Sequence, residues 1–408
     1  MKTLLFNDPI YGFITVKSDL VLSIIEHPYF QRLRRIRQLG MTHLVYSGAH
    51  HTRFHHALGA MHLMMQAIEV IRSKGHDATH EEAEAAAIAV LLHDIGHGPF
   101  SHALEDSIVP EISHEQLSDL FMNRLNKILD GKLSLALEIF RNKYKKKFLH
   151  QLVSSQLDMD RMDYLNRDSF FTGVSEGVIS YDRIIKMLNV HNNELVIDSK
   201  GILSVEKFII ARRLMYWAVY LHKTVLGAEL LMVNILKRAK ELSLKGEELF
   251  ATPSLNKFLH CKFSVNDFLS DESLLDSFAG LDDYDVFVSV KVWASHQDKV
   301  LSKLCRAMID RKLFKVEISN SSFDKKRMEE KKKEICKSMK ISEQELSYYF
   351  STGSIVNHAY DNSNNQINIL YKDGTVKNIV EASDLMNISA LSVPVKKFYL
   401  CYVRQAAK

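Results

Sequence analysis

The chain has 408 residues, 46% hydrophobic and 25% charged, an ordinary balance for a soluble globular protein with room for a large core. Formal net charge is only +4, so no global basic field points to nucleic acid as the main partner, although local clusters of cations can still bind phosphates. The cysteines, Cys261, Cys305, Cys336 and Cys401, form no CxxC pair and suit a reducing compartment, so a cytoplasmic location is expected. The apolar run before Asn7-Asp8-Pro9 is too short for a signal peptide, and no stretch approaches the roughly 18 apolar residues of a membrane span, so no membrane partner is expected.

The first strong element is "ALGAMHLMMQAIEVIRS" (57–73), a predicted helix, and the second is "EEAEAAAIAVLLHD" (81–94), whose acids fall in the first turn where the helix dipole favours them. The polar "KGHDATHEE" between them reads as a surface linker. Between Pro110 and Pro253 there is no proline, and the Leu-, Ile-, Lys- and Glu-rich sequence predicts consecutive helices. One of them covers "QLDMDRMDYLNRD" (156–168) and puts Asp160, Tyr164 and Asp168 on one face at i, i+4, i+8. The character changes near residue 253. "YDVFVSVKVW" (284–293) alternates as a strand does, "DKKRMEEKKKEICKSMK" (324–340) reads as a solvated helix, 364–383 as a hairpin around Asp373-Gly374, and 395–405 as a closing strand. The expected fold is mainly α. A helical body spans 1–252, with a metal core at about 50–170, and a smaller mixed α/β region, 253–408, packs on it and takes part in oligomerisation.

Twelve of the 19 histidines fall between His43 and His114. Two His-Asp pairs occur. His76-Asp77 lies in the polar linker, whereas His93-Asp94 ends an apolar helix and runs into Gly96, Gly98 and Pro99, which permit a tight turn and close backbone approach to a ligand. If the helix lasts that far, His93 and His97 share a face. A metal needs more ligands than one imidazole and one carboxylate. "HHTRFHHALG" (50–59) and the acid-rich 156–168 are the two further sources.

The resulting order, His56, His93-Asp94, Asp160, resembles the HD-domain phosphohydrolases, whose members hold a divalent metal with four such side chains. "NDPIYGFI", "FQRLRRIRQLG", "RFHHALG", "HDIGHGPFSH", "SHEQ", "DRMDYLNRD" and "YLHK" sharpen the likeness to the deoxynucleoside triphosphate triphosphohydrolases of that superfamily, both the vertebrate SAM- and HD-domain enzymes and their bacterial relatives. The likeness runs from about Asn7 into the C-terminal strands. It implies a helical HD-domain fold, one or more divalent metals (Fe, Mn, Mg, Zn or Ni), and a dNTP substrate, with dGTP a favoured candidate. Water then attacks the α-phosphorus, and deoxynucleoside and tripolyphosphate leave.

The resemblance assigns roles residue by residue. His114 matches the catalytic acid, and Glu105 stands where the family has the aspartate that orients it. Arg53, His97, His102, Arg161 and Arg212 match residues around the triphosphate or the attacking water; at Arg161 many relatives carry lysine. Gln38, Leu39, Tyr164, Asp168 and Tyr220 match the sugar pocket, where a tyrosine under C2′ leaves no room for a hydroxyl. Leu221 replaces a glutamine of the vertebrate members. Asn7, Arg34, Arg183, Arg311 and Lys315 match parts of effector-nucleotide sites between subunits, with His222 and Lys223 nearby. Glu26 stands where an aspartate reads guanine, and Val196 replaces an arginine, which weakens that match. A homo-oligomer, dimer or tetramer, is expected. Two other readings stay open: an HD phosphatase acting on nucleoside monophosphates or modified nucleotides, and a non-catalytic, nucleotide-gated assembly or nucleic-acid-binding protein. The complete ligand set and His114 argue against the latter.

Overall fold

A computed structural model describes residues 3–101, 108–109, 112–357, 359–361, 366–385 and 391–404. The chain opens with an antiparallel hairpin of β1 (Leu4–Asp8) and β2 (Gly12–Val16), in register from Leu4↔Val16 to Asp8↔Gly12. Asp8 turns inward and accepts the amides of Ile10 and Tyr11 across the turn. Helix α1 (Asp19–Glu26), capped by Ser18, follows.

The centre of the helical part is α2 (Arg53–Ser73), buried around most of its circumference against α3 (His80–Leu92) and α5 (Met159–Thr172). Apolar residues all round are what a core helix needs. Each start has a side-chain cap: Thr52 with His55 on α2, Thr79 with Glu82 on α3, Ser113 with Gln116 on α4 (His114–Ile128), and Asp158 on α5. Gly173, at φ +73°, ends α5 in the left-handed conformation that glycine adopts without strain. Beyond lie α6 (Ile202–Met215), a π-turn at Tyr216–Tyr220 and α7 (Lys223–Leu244).

The strands divide among three sheets. Besides the N-terminal hairpin, β3 (Leu188–His191) and β4 (Glu194–Asp198) continue into β7 (Asn368–Leu370) and β8 (Val376–Asn378), with β4 and β7 parallel at Ile197↔Ile369. The β7–β8 hairpin turns at Asp373-Gly374, where Gly374 has φ +84°. The third sheet has β9 (Val395–Tyr402) between β5 (Lys315–Ser319) and β6 (Phe350–Asn357). The charged run is helical, Lys325–Met339, with Ile335 its buried anchor.

Two elements depart from the sequence reading. The span between Pro110 and Pro253, expected as consecutive helices, also holds the antiparallel β3–β4 hairpin. Asp283–Trp293 is a helix, α8, and not a strand. Valines at 286, 288, 290 and 292 mimic a two-residue period, but the helix buries Val286, Ser289, Val290 and Trp293 at three- and four-residue spacing and leaves Val288 and Val292 in solvent. The Asp282–Asp285 capping box starts it, and packing on the helix Lys299–Ile309 outweighs the strand preference of valine. Among the described residues no single helix is long and apolar enough to cross a membrane; one bent pair, Ser199–Tyr220 with Lys223–Leu244, passes by length and composition only.

Candidate metal centre and active site

Helix α3 stops at Leu92, and His93 is its C-cap. His93 and His97 therefore do not share a helix face. After a turn at 93–96, His97 packs on His114 at 4.0 Å between ring centroids. The glycines also serve differently from the expectation. A Cβ on Gly96 would lie 2.2 Å from the His114 carbonyl oxygen and 2.3 Å from the Ser118 nitrogen, so the close approach is to the backbone of α4 and not to a ligand. Ser118 ties the two together, donating to the His93 carbonyl and accepting the Gly96 amide.

This turn, the start of α2 and the first turn of α5 bring four side chains to one point. His56 Nε2 lies 3.2 Å from Asp160 Oδ1 and 3.6 Å from Asp94 Oδ2, and His93 Nε2 lies 3.4 Å from Asp94 Oδ1 and 3.4 Å from Asp160 Oδ1. Both Nε2 atoms are buried and make no hydrogen bond. Buried polar atoms rarely go unpartnered, and two of them facing two carboxylates fit a shared cation. His56, His93 and Asp160 offer ligand atoms all within 4.8 Å of one another. Two imidazoles and two carboxylates form the mixed N/O set that suits Fe, Mn, Mg, Zn or Ni. His56, His93 and Asp160 can therefore hold a divalent metal, and Asp94, which also groups with His97 and His114, faces the same point.

The charges agree with this. Burial alone would lower the His56 imidazole, but the carboxylates of Asp160 and Asp163 beside it outweigh that and raise it to about 10. Burial opposes the Asp94 charge, yet His93, Arg53 and His56 hold its carboxyl down at about 2. The carboxylates thus hold a proton on His56 in the metal-free site, and a metal bound there would have to displace it. The ligands are themselves oriented. His56 Nδ1 bonds Asp163 Oδ2 at 2.8 Å, and the two Asp163 oxygens also take the Arg167 guanidinium at 2.9 Å each. Arg167 reaches Asp8 at 2.8 Å, and His93 Nδ1 meets the Val90 carbonyl at 2.5 Å. Such partners fix which imidazole nitrogen faces the metal.

The centre opens into a cleft of about 630 Å³, within the range of small-molecule sites. Arg53 and Arg161 line it beside the ligands; Arg53 pairs with Asp94, and Arg161 with Asp158. Farther along α5, Tyr164 lies edge-on to Tyr220 at 6.0 Å, and Asp168 accepts both the Tyr220 hydroxyl at 2.8 Å and His51 Nε2 at 2.6 Å. Gln38 and Leu39 complete this end.

Residues 53–168 match the HD domain family, and 179–255 match the HD associated region. The chain is 35% identical to the uncharacterized protein YwfO of Bacillus subtilis over 316 residues, 76% of this chain and 70% of that one. A solved phosphohydrolase from Bacteroides thetaiotaomicron is 52% identical, with a TM-score of 0.95 over 99% of this chain and 100% of that one. The chain belongs to the HD-domain phosphohydrolase family. This HD phosphohydrolase is also 32% identical over 225 residues to the deoxynucleoside triphosphate triphosphohydrolase SAMHD1 of Gallus gallus, a match covering 45% of this chain and 36% of that protein.

The cleft of the HD phosphohydrolase gathers His97, His114, Gln38, Leu39, Arg53, Arg161, Tyr164, Asp168, Tyr220 and Leu221 beside the metal ligands. Arg212 is not among the residues lining it; its guanidinium bonds Gln156 at 3.0 Å. His102 and Glu105 lie outside the described residues. The residues matched to the effector sites lie on the surface. Asn7, Glu26, Arg34, Arg183, Arg311 and Lys315 are all exposed, and Val196 is buried in β4. Arg183 bonds the Lys200 carbonyl and Arg311 the Leu44 carbonyl.

Three residues of the HD phosphohydrolase escape sequence reasoning. Asp163 lies within the acid-rich stretch, one turn from Asp160, and the i,i+4 pairing with Arg167 was its available signal. Arg32, fully buried, donates to the carbonyls of Ile95 and His97 at 2.8 Å each and so holds the turn from the inside of the core. Glu229, on α7, lines the cleft, and burial pushes its carboxyl up to about 7.

Proposed function

We propose that this HD phosphohydrolase is a dNTP triphosphohydrolase. The observation that carries the reading is the layout of α5. Asp160 sits at the metal centre, Tyr164 one turn on and Asp168 two turns on, all lining one cleft. Eight residues span about 12 Å of helix, the scale of the separation between an α-phosphate and the far side of its sugar and base. The names of the SAMHD1 relatives point to the same substrate class.

A divalent metal held by His56, His93, Asp94 and Asp160 would supply Lewis acidity and water activation. The chain's own residues do the rest. Arg53 and Arg161 neutralise phosphate oxygens, and arginine can do so with two parallel hydrogen bonds. His114, beside His97 at the mouth of the cleft, protonates the leaving 5′ oxygen. Water forms a bond to the α-phosphorus, the bond to the 5′ oxygen breaks, and deoxynucleoside and tripolyphosphate leave. Tyr164 packs against C2′, and Asp168, oriented by His51 and Tyr220, accepts the sugar 3′-hydroxyl.

Product analysis tests this. Purified protein with a panel of dNTPs, dGTP first, and a panel of divalent metals should release tripolyphosphate. Orthophosphate from deoxynucleoside monophosphates, with dNTPs untouched, would establish the HD phosphatase reading instead. Assembly is part of the proposal. Lys223, Lys315, Lys331 and Arg404 surround Tyr402 in a second cavity of about 450 Å³, a concentration of cations that favours an anionic effector. We place nucleotide-responsive homo-oligomerisation there.

A further inference from the structure

The segment Phe100–Ser101 follows the metal-binding turn and lines the cleft. Its two residues hold φ of +55° and +57°, left-handed values that cost energy for any side chain bulkier than glycine. Something must hold them there. The Phe100 amide donates to Asp283 Oδ1 at 2.7 Å, across 183 positions of chain. The other oxygen of the same carboxylate accepts the Arg37 amide at 3.0 Å. Asp283 is 3% exposed, and it occupies the first turn of α8, where the helix dipole favours a negative charge.

These two bonds join both walls of the cleft. Arg37 precedes Gln38 and Leu39, and Phe100 precedes Ser101. Ser101 Oγ donates to the Arg37 carbonyl at 2.8 Å and accepts Arg53 Nε at 2.8 Å. Arg53 in turn pairs through its Nη1 with Asp94, a metal ligand. The neighbouring Asp282 takes Arg35, so the basic segment 32–37 is locked onto the start of α8 from two adjacent carboxylates.

We infer that Asp283 is a positioning residue of the active centre: its carboxylate holds the Phe100–Ser101 turn against the backbone at Arg37 and, through Ser101 and Arg53, sets the place of Asp94. The inference rests on the metal-bearing cleft as the reaction centre. It assigns a task in catalysis to a helix outside both matched regions, 53–168 and 179–255. An amide in place of the carboxylate can accept only one of the two backbone N–H groups and turns its own NH₂ on the other.

Asp283→Asn should therefore speed hydrogen exchange at the Phe100 amide by about 100-fold in a protein that remains folded. Its affinity for Mn²⁺ should fall by roughly 10-fold, the scale of losses seen when a ligand's supporting partner is removed. Turnover of dNTP should fall while KM changes little. Ser101→Ala keeps Asp283 but cuts the relay; it should reduce Mn²⁺ affinity and kcat alike while exchange at Phe100 stays slow, and the double variant should be no worse than the more damaging single one. A folded Asp283→Asn protein with wild-type exchange and wild-type Mn²⁺ affinity overturns the inference. If Asp283→Asn does not fold, Ser101→Ala decides, and unchanged Mn²⁺ affinity and kcat there overturn it. Exchange and Mn²⁺ binding need no substrate, so a wild-type protein inert toward dNTPs would defeat the proposed function and leave the role of Asp283 still decided by these two measurements.

Discussion

Three residues carry distinct consequences. Asp94 faces both orphaned imidazole nitrogens and pairs with Arg53. Asp94→Ala should abolish metal binding and turnover while circular dichroism stays helical, because the ligand cluster is small beside the core; stoichiometric metal in the variant would contradict the assignment. His76, bonded to Asn189 far from the cluster, is the control, and His76→Ala should leave metal content unchanged. Tyr164 sets the second test. Wild-type protein should turn over dGTP faster than GTP by roughly 10²-fold, the discrimination a close-fitting pocket achieves against one hydroxyl, and Tyr164→Ala should erode most of that ratio. Equal wild-type rates would remove the steric argument. Glu229 brings a pH dependence. Its carboxyl lies at about 7 in the folded protein against an ordinary 4.5, so the folded state keeps a proton that the unfolded chain has already released. Stability therefore falls as pH rises from 4.5 to 7, by about 2 kcal/mol in all for a group partly open to solvent. Glu229→Gln should remove that slope. Denaturation midpoints compared at pH 5 and pH 8 should show the wild type losing ground to the variant at the higher pH, and parallel curves would refute it.

At the scale of elements, the site depends on α4 meeting the turn after α3 without a gap. Gly96 makes this contact possible, since the atoms a Cβ would strike, the His114 oxygen and the Ser118 nitrogen, are backbone and cannot swing aside. Gly96→Ala should cost about 1–3 kcal/mol of stability by overpacking, and it should also lower kcat, because the displaced turn carries His97 and the displaced helix carries His114. A variant with wild-type stability and kcat would show that the contact is loose. Part of the fold was legible in sequence, while the β1–β2 and β3–β4 hairpins and the helices at 253–279 and 299–309 were not. The helices at 53–73 and 80–92 announce themselves by apolar content and by capping pairs such as Thr79 with Glu82. Helix α8 was not legible, since its valines satisfy a two-residue period as well as the helical one, and only the neighbours it buries against distinguish the two.

For the whole molecule, the β4–β7 pairing at Ile197↔Ile369 places one sheet partly in the helical half and partly in the C-terminal region, while β5 and β9 carry Lys315 and Tyr402 of the cationic cavity. Cations gathered in this way repel one another unless an anion lies between them, and a ligand that binds only an assembled state draws the population toward it. Sedimentation velocity should find a dimer or larger species without nucleotide, with dGTP shifting the distribution upward. A monomer under both conditions would refute the assembly proposal.

The sequence alone determined the candidate metal ligands and the helical character. His56, His93, Asp94 and Asp160 sit in short local motifs, and helices write their period and their caps into neighbouring residues. The tertiary structure alone decided what holds those ligands in place. Asp163 behind His56, Arg32 beneath the turn and Asp283 against Phe100 each act on a residue far along the chain, and beyond the i,i+4 spacing of Asp163 and Arg167 no local spacing marks them. Their roles arise because buried backbone amides, carbonyls and imidazole nitrogens must find partners wherever the fold brings one within hydrogen-bond reach.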